Sequence, residues 1–598
     1  MKRKFFLIGL SAIYAFMQIS AYDFYEANKD GVRIYYDFQA GSFNRVIVVE
    51  GSTSYSGVVD IPDSVTYEGV KYGVETIGSY AFSNCTGLTE VNLPPNMKTI
   101  RESAFFRSAN LTKINSPEGI TTIRERAFSE CGALKSVSFS DNLTSIGANA
   151  FQFCTSLESI TLGNHVTEID RAAFIQCTNL KSITLPESLT AINESTFLGC
   201  SSLTSMIIPK SVTIIRDGAF YGCSGLTSIT ISEGLASIDK DAFAGCSGLK
   251  EFIVSDNNKN YASVDGILTN KEKTVLIRFP NAKDSDVSIP ENIQIIGEVA
   301  FAECYNLKSV SMSDNLTTIA PSAFEGCGNL TQITFGSKID SIGSRAFCGC
   351  QKLESFDFPK NITHIADSVF YGTRGLKNVT MSDNTITIGI RSFMDCYDLQ
   401  NIELKNIISI GESAFENCTS LSNDIILDKA ITIGAKAFLW CRYVKEMVLG
   451  ANLKEIGELA FAYMQNLKVI YNLNPEPIVL SITIYTTYTD SPIKIPLPIM
   501  YVPIGSYDAY KNAYLWNIFF IEEQEYVANE AVKMETITIT STFGGITITG
   551  VEPERVAIYS ITGQMVCQKS FTGRLDIPLQ RGLYIVKTDN VTKKIFVQ

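Results

Sequence analysis

Apolar residues return along this chain at a fixed stride. With the Phe of a recurrent Ala-Phe pair as marker, they fall at Phe82, Phe105, Phe128, Phe151, Phe174, Phe197, Phe220 and Phe243, always 23 residues apart. After a gap of 58 residues the series resumes at Phe301, Phe324, Phe347, Phe370, Phe393, Phe415, Phe438 and Phe461, with one step of 22. Ile stands five residues before the marker in all sixteen coils, and Leu six after it in fifteen, Val444 being the exception. The spacing around the Phe predicts a short helical turn. The pattern Leu-x-x-Ile-x-Leu that follows, as in Leu157, Ile160 and Leu162, predicts a half-buried strand, closed in several coils by a proline such as Pro186 or Pro209. One coil cannot bury such a stripe alone, whereas stacked coils bury it against each other, so the period predicts a repeat solenoid with one strand and one short helical turn per coil. At a strand spacing of ~4.8 Å, sixteen coils extend over roughly 75 Å.

Both ends of the chain break the period. Lys2, Arg3 and Lys4 precede an apolar run from Phe5 to Phe16, and small residues, Ser20 and Ala21, follow. This is the layout of a secretory signal peptide over residues 1–21. Its apolar run is short of the ~20 residues that span a bilayer, and no second such stretch follows, so the exported chain is expected to have no transmembrane segment. Residues 526–598 alternate apolar and polar positions in runs such as "GGITITG" and "RVAIYSITGQMV", which predicts a small all-β sandwich. The long coil at 252–290 is expected to contain a β-hairpin turning near Asn270–Lys273.

Charge and chemistry narrow the function classes. A net charge of −12 argues against nucleic acid or an anionic membrane as partner. The two histidines, His165 and His364, lie seven coils or about 34 Å apart, and no nucleophile–base pair, phosphate loop or metal motif accompanies them. The chain is therefore read as a non-enzyme with no catalytic residues, cofactor or metal. Thirteen of fifteen cysteines sit three residues after the marker, and Ser108, Thr373 and Met464 take the same column in the remaining coils. Neighbours in the column are within disulfide reach, but Cys85 faces Ser108, and a column that accepts Ser, Thr and Met suits compact packing. Reduced, buried thiols are expected, with scattered disulfides as the alternative. Cys348 falls at an outward phase.

Between the inward positions of the predicted strand, eight residues after the marker, runs a row of serines that includes Ser136, Ser159, Ser182, Ser205 and Ser228. Two residues further on are Ser138, Thr161, Thr184 and Thr230, whereas the last coils turn apolar at Ile425, Val448 and Tyr471. Small polar side chains suit any exposed β surface. They also offer many weak hydrogen bonds to a protein or glycan, and Ser159, Ser182, Ser205 and Ser228 are the candidate partner-binding residues.

The stretch "LKSITLPESLTAINESTFLGC" (180–200) resembles the BspA-like leucine-rich repeats of bacterial surface proteins. The resemblance covers residues ~74–470 and extends to the flanks: 22–73 resembles the N-terminal cap of that family, 471–525 its C-terminal cap, and 257–280 an insertion found in such arrays. It implies an exported surface protein of adhesin type that binds host, matrix or neighbouring-cell proteins. A glycan-binding protein or a passive spacer is the alternative. "IYSITGQMV" and "RGLYIVKT", through Gly563, Gln564, Gly582, Tyr584, Val586 and Lys587, resemble the C-terminal sorting domain of the type IX secretion system, whose machinery would then be a further partner.

Overall fold

The computed structural model describes residues 22–52, 54–480, 483–486, 497–524, 537–542, 545–560, 564–580, 582–588 and 592–597. The signal-peptide-like residues 1–21 and Gly563 lie outside them. Contacts divide the chain between Gln524 and Glu525 into two compact units.

The first unit is a β-solenoid, and each of its coils carries two short strands. In a representative coil, Ser159–Thr161 pairs in parallel with Ser136–Ser138 before it and Ser182–Ile183 after it. Ile160 is buried while Ser159 and Thr161 are exposed, which is the alternation the sequence predicts. Half a coil later Glu168–Ile169 pairs in parallel with Ser145–Ile146, so the invariant Ile before the marker belongs to a second ladder. Its β-branched side chain faces the interior in nearly every coil.

The segment around the marker Phe turns without forming an α-helix. Ala172 and Gln176 lie on either side of Phe174 at φ 56° and 57°, and equivalent residues two before and two after the marker adopt left-handed φ in nearly every coil. A backbone that alternates handedness sends every second N–H to the same side. The amides of Ala172, Phe174 and Gln176 donate to the carbonyls of Glu194, Thr196 and Leu198 in the next coil at 2.9, 2.9 and 2.7 Å. Left-handed backbone costs an L-residue about 1–2 kcal/mol, which accounts for glycine at the second of these positions in Gly199, Gly222, Gly245, Gly326, Gly349 and Gly372.

Inside, the marker rings form a stack. From Phe82 to Phe243 successive centroids are 5.1 to 5.5 Å apart and the planes lie within 13° of parallel. A second stack runs from Phe279 to Phe461. Each marker ring is essentially fully buried, which stabilises the fold by about 2–3 kcal/mol per ring.

The ends of the array are closed by strands of other kinds. Phe24–Ala27, Arg33–Phe38 and Arg45–Val49 form an antiparallel ribbon, and the last of these pairs in parallel with Val70–Ile77 to open the second ladder. At the far end Val469–Asn472, Ile499–Val502 and Phe520–Glu523 extend the first ladder, and the helix Tyr507–Asn512 buries Tyr510 beside Trp516. The long coil contains the expected hairpin between Ile267–Asn270 and Val275–Arg278. It also contains a second, unexpected one: Tyr261–Val264 pairs with Ile267–Asn270 through Asp265 and Gly266 at φ 50° and 78°.

The second unit contains Ile537–Thr542, Gly545–Ser560, Met565–Pro578, Gly582–Thr588 and Thr592–Val597. The two longest strands pair with each other along both halves. One half of Gly545–Ser560 also pairs with Ile537–Thr542 and the other with Gly582–Thr588. Ile546, Ile548 and Ile577 from one half join Val556, Ile558, Val586 and Ile595 from the other in a single buried cluster. Val586 and half-buried Tyr584 serve this packing, while Lys587 and Gln564 are exposed.

All cysteines of the column are free and buried, and the structure shows why Ser and Thr replace them. In eleven coils the thiol donates to the carbonyl of the preceding coil's marker, as Cys131 does to Phe105 at 3.1 Å and Cys350 to Phe324 at 3.3 Å. Ser108 and Thr373 make the same bond to Phe82 and Phe347 at 2.6 and 2.8 Å. The column thus selects a small donor as well as a small volume. Cys348, expected to face outward, is buried at 6% exposure. Ile425, expected on the outer face, pairs with Met447 and is buried, so that Ile426 pairs with Val448, which was expected on the same face and is buried as well. One extra residue between Leu421 and Ile425 shifts that coil's strand.

Burial pushes the thiols of Cys154, Cys200 and Cys304 up to about 12. Since the thiolate is the reactive form, the native column is expected to resist a water-soluble maleimide at pH 8 and to react fully after denaturation without reductant. An unfolded thiol releases its proton near pH 9 while the buried one keeps it. The folded state therefore loses stability as pH rises above about 9, and the melting temperature should fall there. Rapid native labelling of several column cysteines, or disulfides across the column in a mass spectrum, contradicts this arrangement.

Candidate binding surface

Two outer faces present polar side chains over a rigid interior. On the first ladder Ser136, Ser159 and Ser182 stand in direct register, as do Ser205, Ser228 and Glu251. The sheet is interrupted between Ser182–Ile183 and Ser205–Ile208, so the four candidate serines form two adjacent pairs rather than one unbroken row. Ser159, Ser182 and Ser205 are exposed and Ser228 is half-buried. Each is backed by a buried residue, Ile160, Ile183, Met206 or Ile229, so their positions are fixed by the core. The neighbouring column is less uniform: Ile207 and Ile253, 67% and 46% exposed, flank Thr230. Ion pairs such as Lys181–Glu158 at 2.7 Å border the row. Exposed pairs of this kind contribute at most about 1 kcal/mol.

The second ladder carries a feature the sequence reading missed. Over the first five coils its outer face forms an open groove of about 770 Å³, with Thr76, Thr99, Thr122, Ser145 and Glu168 in one column along it. Arg101 and Arg124 also line it one coil apart, and neither makes an ion pair among the described residues. Glu102, Glu125 and Asp170 complete a lining of mixed charge. Gly147 takes the position that Arg101 and Arg124 hold in their own coils, and a Cβ there would lie 2.6 Å from the Glu125 nitrogen. The signal was available, because six residues before the marker the chain repeats Thr or Ser at Thr76, Thr99, Thr122 and Ser145, and again at Thr318, Ser341, Thr387, Ser409 and Thr432.

The two histidines are far apart in the array. His165 Nδ1 lies 2.9 Å from the Asp141 carbonyl oxygen, and His364 contacts the hydroxyl of Thr387. Among the described residues, no group of three or more His, Cys, Asp or Glu side chains is placed to hold a metal ion, and no helix is long and apolar enough to cross a membrane.

Known structures similar to this chain include bacterial leucine-rich repeat proteins. A leucine rich cell surface protein from Faecalibacterium prausnitzii A2-165 is 28% identical, with a TM-score of 0.48, over 65% of this chain and 94% of that one. A leucine-rich repeat protein from Bacteroides ovatus ATCC 8483 is 27% identical, with a TM-score of 0.40, over 74% and 93%. Comparison with curated proteins finds no match. The BspA type Leucine rich repeat region matches residues 63–181, 144–264, 278–397 and 364–480. These segments cover more than half of the sequence and carry the marker Phe and the second-ladder Ile throughout. The chain belongs to the BspA-type leucine-rich repeat family.

Proposed function

We propose that this protein is an exported, adhesin-like surface protein that binds extracellular protein partners through its repeat array. The observation that carries the reading is the contrast between inside and outside: a uniform packed interior holds rows of exposed small polar side chains at a fixed spacing. Long repeat arrays commonly recognise partners along such surfaces. Export rests on the signal-peptide layout of residues 1–21. The likeness of residues 526–598 to a sorting domain supports passage through the type IX machinery to the outer surface. No catalytic step is assigned. The groove over the first five coils favours a second reading of the site, because Arg101 and Arg124 line it and make no ion pair among the described residues.

Two experiments test this. The full chain is screened against immobilised matrix proteins and a glycan array, alongside two charge-reversed variants. Ser182→Glu with Ser205→Glu is expected to weaken protein binding at least tenfold, equivalent to about 1.4 kcal/mol, with the melting temperature within a few degrees because both side chains are exposed. If only Arg101→Glu with Arg124→Glu weakens binding, the site lies in the groove. Binding that survives protease treatment of the target indicates a glycan ligand, and no binding to any target leaves the spacer reading.

In the second experiment residues 526–598 are removed. The array is expected to keep its melting transition and binding, whereas the protein accumulates inside the cell envelope. Surface display equal to that of the full chain overturns the sorting role.

A further inference from the structure

We infer that the array consists of two separately folding blocks that meet at a polar seam within residues 252–290, and that the buried guanidinium of Arg278 is the clamp across it. Every regular element of the solenoid stops at this seam and starts again beyond it. The ring stack ends at Phe243, which turns edge-on to Phe252 at 5.3 Å, and the next stack begins with Phe279 on Phe301 at 4.7 Å. The one-way amide ladder runs as far as Phe220 and Gly222, which donate to Ala242 and Ala244, and resumes where Phe279 donates to Ala300. Among the described residues, the Phe243 amide has no acceptor, although its residue is buried. Both strand ladders are interrupted here too, as they are at several other coils, the first between Glu251–Val254 and Asp286–Ser288 and the second between Ser237–Ile238 and Val275–Arg278. The apolar core divides at the same place into two clusters.

The clamp across the seam is polar, beside the apolar contacts that Tyr261 and Leu268 make with the first core. Arg278 is 3% exposed and makes no ion pair among the described residues. Its Nη1 donates to the Val299 carbonyl at 2.6 Å, and its Nη2 to Ala302 at 3.1 Å, to Phe243 at 3.4 Å and to the Asn281 side chain at 3.4 Å. Elsewhere in the first block the marker carbonyl receives a thiol or hydroxyl from the next coil; at Phe243 the guanidinium takes that role. The Nε of Arg278 is buried without a partner. Further ties are the Ala282 amide to the Leu249 carbonyl at 2.7 Å, Asn258 Nδ2 to the Ser232 carbonyl at 2.8 Å, and an exposed Lys240–Glu298 pair at 3.2 Å.

In a solenoid, cooperativity passes through nearest-neighbour interfaces. An interface with a buried charge, an orphaned donor and no ring-on-ring contact transmits less of it than the stacked coils on either side. Arg278 keeps the blocks together because its planar fork spans carbonyls from both. The seam is therefore the place where the array opens or bends first.

Hydrogen exchange of the native full chain tests the seam directly. Amides in residues 82–250 and in residues 296–461 should fall on two separate protection levels, with the step inside 252–290. Both tryptophans, Trp440 and Trp516, lie beyond the seam, so their fluorescence follows the second block while circular dichroism follows both. In urea the two signals should separate, and Arg278→Met should widen the gap between their midpoints by about 1 M. A single protection level running unbroken from Phe243 to Phe301 overturns the proposal. So does a folded Arg278→Met protein whose two midpoints keep the wild-type gap. If that variant does not fold, the exchange pattern of the wild type decides alone.

Discussion

Each coil hangs from the next by backbone amides that all point the same way. That polarity is possible only because the residues two before and two after the marker Phe take left-handed φ in nearly every coil. Once these amides are committed to the following coil, the coil length is held near 23 residues, and the one 22-residue step, from Phe393 to Phe415, keeps the same amide bonds because the residue is lost elsewhere in the coil. The parallel ladders on both sides of the coil, the ring stack between them and the fixed phase of every surface column follow from this register. Where the chain departs from it, between Leu421 and Ile425, the extra residue is absorbed in a loop and the neighbouring strand shifts by one position.

The same constraint explains an unusual use of cysteine. The marker carbonyl lies inside the array and takes a second donor from the following coil. Cys, Ser and Thr all fill the site as donors, and Met464 fills it in the last coil without one. A thiol adds an apolar surface that a hydroxyl lacks, which suits an interior packed with apolar side chains. Interior uniformity in turn leaves the outside free to vary. Serine, threonine, isoleucine or a charged residue can stand on either ladder without disturbing the core, and this freedom is what a recognition surface requires.

Much of the fold was legible because burial restricts residue type. The Phe, Ile and Leu columns each have one acceptable shape, and their period gave the solenoid directly. The left-handed positions were harder to read, because solvent-facing side chains as different as Asn84, Gln176 and Trp440 all occupy them. The hydrogen-bonding role of the cysteines was within reach, since Ser108 and Thr373 share with Cys a donor that Met464 lacks. The Asp265-Gly266 turn carried a strong hairpin signal that went unread beside the more obvious break at Asn270–Lys273. The Thr and Ser column along the groove was legible six residues before the marker, whereas the groove's depth was not, because a period fixes the spacing of the coils without fixing the shape of the surface between them. The serine columns were correctly placed at the surface, although the period did not show the interruption between Ser182 and Ser205.

The register itself is tested most directly by cutting out one period. Removing residues 187–209 joins Pro186 to Lys210 and restores every column, because both prolines end the same strand in successive coils. Circular dichroism should then show a folded chain with the same signal per residue, melting within about 5 °C of the parent, since only one nearest-neighbour interface is lost. Removing residues 187–198 instead, half a period, should abolish the cooperative transition. A whole-period deletion that unfolds as the half-period one does would contradict the account.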